Sequence, residues 1–116
     1  MALHYNLAKV YEHANNNQSF VYHKIAQFVL DIPELLKVLK NSIESKNYED
    51  AYNASLVILS HVEWMGLYMA LEDLILIQNW TNVKGKRKEI KEVFKSLELQ
   101  IGKAVKELKK DHINLV

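Results

Sequence analysis

Apolar residues return at helical spacing along nearly the whole chain, and no stretch alternates apolar and polar positions as a half-buried strand does. Val21, Ile25, Phe28, Ile32, Leu35, Leu39 and Ile43 follow one another in steps of three and four, a continuous stripe on one helix face. Pro33 lies inside that stripe without shifting its phase. This predicts one long helix kinked near Val29, whose carbonyl loses its donor, in preference to two helices at an angle. A shorter helix over His4 to Ala14 is expected ahead of it, closed by Asn15, Asn16 and Asn17, a residue type suited to both a left-handed C-cap and an N-cap.

Lys46-Asn47 interrupts the pattern, and a third helix is expected from Tyr48, with Glu49 and Asp50 set against its positive end. Its inner stripe is Ala51, Ser55, Ile58, Val62 and Met65. Gly66 costs a helix about 1 kcal/mol relative to alanine, so it predicts a bend or cap before a fourth helix through Leu71, Leu74 and Ile75 to the neighbourhood of Trp80. Thr81 to Gly85 reads as a loop. The last helix, Lys86 to Lys110, places Ile90, Phe94, Leu97, Ile101, Ala104 and Leu108 on its inner face. Four amphipathic helices with short connections, preceded by a shorter one, predict an all-α, up-down four-helix bundle. At 116 residues the chain suits a single domain over 1–116 with one core.

Composition narrows the chemistry more than it directs it. With no cysteine the chain has no disulfide, thiolate nucleophile or Cys-based zinc site, which is compatible with a reducing compartment. The opening MALHYNLAKVYEH lacks the apolar core of a signal peptide, and His61, Glu63, Glu72 and Asp73 interrupt the most apolar segment, so the expected location is the cytoplasm, with no membrane association. A net charge of +1 supplies no long-range field, and the only concentrated basic run is Lys84, Lys86, Arg87 and Lys88. It reads first as a solvated loop and helix start, then as a contact for an acidic partner. Without interleaved aromatics it does not indicate nucleic acid. His4, His13, His23, His61 and His112 show no metal-ligand spacing, so neither a metal nor another cofactor is expected.

The segment NLAKVYEHANNNQSFVYHKIAQFVLDIPELLKVLKNSIESKNYEDAYNAS, with the helix that follows, resembles the histidine phosphotransfer (HPt) domains of multistep phosphorelays. The order is similar: a short leading helix, a polar turn, a long helix whose middle reads Asp-x-Pro-Glu-Leu-Leu, and a helix opening with aromatic and acidic residues. In that family the third helix carries Ala-His-x-Leu-Lys-Gly and a further glycine ten positions after the histidine. With Gly66 as that glycine, Leu56 stands at the histidine position, Leu59 at the lysine and Ser60 at the first glycine. The resemblance therefore implies a degenerate member, an HPt-like bundle without the phosphoaccepting side chain. Leucine offers no nucleophile, and Leu59 no positive charge for the phosphoryl oxygens.

Helix geometry independently assigns the face. At about 100° per residue, Leu56, Ser60, Glu63 and Leu67 fall opposite the inner stripe, whereas His61 lies about 140° beyond Leu56 and flanks the core. His61 reads as a boundary histidine with one nitrogen hydrogen-bonded; its alternative role is a substitute phosphoacceptor. Tyr52, Leu56, Leu59 and Leu67, with Trp64 at the flank, give the third helix unusual apolar surface away from its stripe. Two explanations are open: neighbouring helices cover part of it, or it marks a partner or self-association surface. The expected function is a non-catalytic protein-interaction module, not an enzyme. Leu56, Leu59, Ser60, Glu63, Trp64 and Leu67 are the candidate partner-binding residues, for a response-regulator receiver domain or a sensor kinase, with homodimerisation as a further possibility. The alternatives are an active phosphocarrier using His61 and a self-associating helical scaffold unrelated to phosphorelays.

Overall fold

The computed structural model describes residues 4–112. Five helices follow in order: α1 (Ala8–Ala14), α2 (Gln18–Glu44), α3 (Tyr48–Met65), α4 (Tyr68–Asn82) and α5 (Arg87–His112), with no strand among the described residues. Asparagine starts two of them. The Asn17 side chain accepts from the Phe20 N–H at 3.2 Å, and that of Asn47 from the Asp50 N–H at 3.2 Å while its own Nδ2 donates to Asp50 Oδ2 at 2.7 Å. Pro33 sits inside α2, which runs through it as one helix.

Two boundaries differ from expectation. Helix α1 begins at Ala8, not His4, because residues before it bond across the molecule instead of along a helix. The Asn6 N–H donates to the Met65 carbonyl at 2.8 Å, the His4 N–H to Glu107 Oε1 at 2.9 Å, and the Tyr5 hydroxyl to Asp111 Oδ2 at 2.9 Å. Burial, helped by the Asp111 hydrogen bond, pushes the Tyr5 phenol above its ordinary range. At the other boundary α4 runs on to Asn82, so the predicted loop at Thr81 starts late. Thr81 is buried, and its hydroxyl donates to the Gln78 carbonyl at 2.7 Å, so its polar group is satisfied inside the helix.

Helix α2 packs against α3 and α5, and α4 packs against the same two, closing a helical bundle; α1 lies across α2 and α3. Ile25, Phe28, Ile32, Leu39, Ile58, Val62, Met65, Leu74, Phe94, Leu97 and Ile101 are buried in one cluster, as their stripes require. Leu35 and Leu71 are half-buried against it. The inner face of α5 is buried at every predicted position, Ile90 through Leu108. No helix of the described residues is long and apolar enough to cross a membrane.

Helix α3 ends at Gly66, which adopts φ +66. Its N–H reaches back to the Glu63 carbonyl, and the Leu67 N–H to that of Val62 at 3.1 Å, so the freed carbonyls of the last turn are satisfied by a left-handed reversal. A Cβ on Gly66 would stand 2.6 Å from the Asn6 carbonyl oxygen, while one on Gly102, exposed in mid-α5, would meet open space. Opposite signs are therefore expected. Gly66→Ala should lower unfolding free energy by more than about 1 kcal/mol, and Gly102→Ala should raise it by about 0.5–1 kcal/mol, both read from urea denaturation followed by helical circular dichroism.

Candidate functional site

The outer side of α3 is what remains after Ala51, Ala54, Ser55, Ile58, Val62 and Met65 turn inward. Leu56 is 41% exposed, and Ser60 and Glu63 are exposed beside it, so these three stand where the helical register places them. Leu59 is half-buried and packs against the core, which leaves only part of it on this face. Val57, 47% exposed, extends the apolar surface although it was not among the expected site residues. Its position, about 100° around the helix from Leu56 and away from the inner stripe, is the signal that could have included it.

Leu67 does not belong to the face. It is 4% exposed and joins the core, because the left-handed turn at Gly66 ends α3 before the register that would carry Leu67 outward. Trp64 is half-buried against other helices, which leaves only part of it at the flank of this face. Its ring meets His13 of α1 edge-on with centroids 5.0 Å apart and Phe20 of α2 at 6.1 Å. Lys24 Nζ lies 4.3 Å and Lys9 Nζ 5.2 Å from the ring centroid. Two ammonium groups over an indole, each contributing about 0.5–1 kcal/mol when exposed, make Trp64 a joint between α1, α2 and α3.

His61 faces α2, with its ring 6.2 Å from that of Phe28, at a cleft of about 220 Å³ shared with Lys24, Gln27 and Ser60. No hydrogen bond from another described residue reaches the imidazole. Burial holds its pKa below the ordinary value, with Asp31 opposing the shift and Lys24 adding to it. The ring is thus neutral near neutrality and turned away from the Leu56 side.

Comparison of the chain with protein-family models, curated proteins and solved structures yields no match.

Because His61 is harder to protonate folded than unfolded, its linkage has a definite sign. The stability tied to its neutral form is fully present above 6.5, the unfolded value, and is lost as pH falls below 6.5 through the lower folded pKa. An NMR titration should place the His61 midpoint below 6.5, and His61→Gln should flatten the decline in stability across that acidic window. A midpoint at or above the ordinary value would mean the ring is not buried against α2.

Proposed function

We propose that this chain is a non-catalytic relative of the phosphotransfer domain, a cytoplasmic interaction module that docks a receiver domain or sensor kinase through the outer side of α3 and carries no phosphate. The observation that carries the reading is Leu56: an outward, substantially exposed leucine ten positions before a left-handed glycine that ends its helix. A phosphoacceptor would have to stand there, and an alkyl side chain cannot attack an aspartyl phosphate. The order of one short and four longer helices, packed so that α2 and α4 each contact α3 and α5, supports an HPt-like up-down topology.

In this reading the docking face consists of Leu56, the exposed part of Leu59, Val57, Ser60 and Glu63. Leu67 acts from behind it as core, and the exposed part of Trp64 lies at its flank, where the ring also joins α3 to α1 and α2. An apolar centre flanked by polar residues is the composition of a protein interface core and rim. Recognition without phosphotransfer would let the module occupy a receiver's docking surface or hold a kinase beside it.

Two measurements test this. Incubation with a phosphorylated receiver domain or an active sensor kinase should leave no acid-labile phosphate on the chain; stoichiometric phosphohistidine that disappears in His61→Ala would overturn the reading in favour of a phosphocarrier. Leu56→Glu should change unfolding free energy by no more than about 0.5 kcal/mol, as expected for a surface site. The same variant should weaken binding to a receiver domain several-fold, since burying a leucine contributes about 1.5–3 kcal/mol. Collapse of the variant would place Leu56 in the core; unaltered binding would remove it from the interface.

A further inference from the structure

The basic run at the start of α5 gains partners that the sequence does not bring near it. Between the C-terminal part of α2 and the N-terminal half of α5 lies a groove of about 820 Å³. Lys40 and Lys46 border it on one side, and Lys86, Arg87, Lys91 and Lys95 on the other, with Lys88 among them. Seven of the fifteen Lys and Arg residues thus edge one groove, against two carboxylates, Glu44 and Glu98. In a chain of net charge +1, nearly half of the basic residues meet around this one groove.

Little of that charge is answered internally. Among the described residues only Lys95 of this set has a carboxylate within ion-pair distance, Glu92 at 3.7 Å. Arg87 donates Nη1 to the Glu44 carbonyl at 3.1 Å and so caps the end of α2. The remaining five lysines are left uncompensated, and the backbone that presents them is held in place. The Tyr48 hydroxyl donates to the Gly85 carbonyl at 2.8 Å, and Trp80 Nε1 to the Lys86 carbonyl at 2.8 Å. Glu89 Oε1 accepts from the Lys86 N–H at the head of α5. Lys46 itself adopts φ 57, a left-handed conformation that glycine occupies more readily.

We propose that this groove is a docking site for an acidic, Asp/Glu-rich segment of a partner protein that also carries apolar side chains. Lys88, Lys91 and Lys95 recur at helical spacing and extend the positive charge by about 10 Å along α5, at roughly 1.5 Å per residue. That length exceeds what one small anion can engage, and matches a chain bearing several carboxylates. The methylene stems of the lysines, lying over the buried Ile43 and Phe94, supply the apolar ground for the segment's own hydrophobic side chains. Phe94 is only 6% exposed, so it offers no ring face on which a base could stack, and single-stranded nucleic acid lacks its usual platform. The site is separate from the outer side of α3, a helix that does not pack against α5, and stands independently of the phosphotransfer reading.

The test is fluorescence anisotropy with a short labelled peptide of Asp and Glu carrying leucine at every fourth position. A peptide with Asn and Gln in place of the acids, an oligonucleotide of matched charge and inorganic phosphate as competitor complete the set. Binding of the acidic peptide should weaken steeply with added salt and fall about tenfold in the double variant Lys40→Glu, Lys91→Glu, whose helical circular dichroism is unchanged. Lys46→Gly should weaken binding while melting at or above the parent temperature, and Leu56→Glu should leave binding as it is. The proposal is overturned if the acidic peptide fails to bind at low salt or binds the charge-reversed variant equally well. It is also overturned if the oligonucleotide binds more tightly than the peptide, or if phosphate at matched charge displaces it.

Discussion

The close approach of the N-terminal segment to the turn between α3 and α4 is the constraint on which the site depends. Asn6 donates its N–H to the last carbonyl of α3 and lies where any Cβ at residue 66 would intrude, so the turn requires both a left-handed φ and the absence of a side chain. Glycine meets both conditions. The consequence runs in two directions: α3 stops at Met65, which sets the register of its outer face, and Leu67 is turned inward to start α4 from within the core.

Helix α3 carries different chemistry on its two flanks as a result. Towards α2, Trp64 and His61 are drawn into contacts with Phe20, Lys24 and Phe28, where a cation near an indole is attracted and an imidazole is kept from protonating. On the outer side, Leu56 and Val57 stay substantially exposed with Ser60 and Glu63. The polar and charged groups that one might seek around a reactive histidine are thus spent on joining helices, and the surface left to a partner is mainly alkyl. Packing of α2 beside α5 does the complementary thing for charge, collecting lysines from distant parts of the chain around one groove.

Much of this was legible in the residues alone. A buried helix face must repeat every three or four positions, and so the stripes of α2, α3 and α5 could be read directly, down to each buried position from Ile90 to Leu108. The outward place of Leu56 followed from the same geometry, as did the cap at Gly66, since a glycine in helix-forming sequence marks either a cost or a turn. Two of the departures share one cause, contact with a distant part of the chain. Continuing α3 past Gly66 puts Leu67 on the outer face, and periodicity alone starts α1 at His4, where Asn6 instead bonds to Met65.

What the sequence by itself determined is therefore the helical class, the inner face of each long helix and the absence of a nucleophile at Leu56, all properties of local spacing and side-chain identity. Only the tertiary structure decided that Leu67 is core, that Trp64 is a joint under Lys9 and Lys24, and that Lys40 and Lys46 share a groove with Lys91. These depend on contacts between residues far apart in the chain, and such contacts are set by how helices pack against one another, which the period of a single helix does not contain.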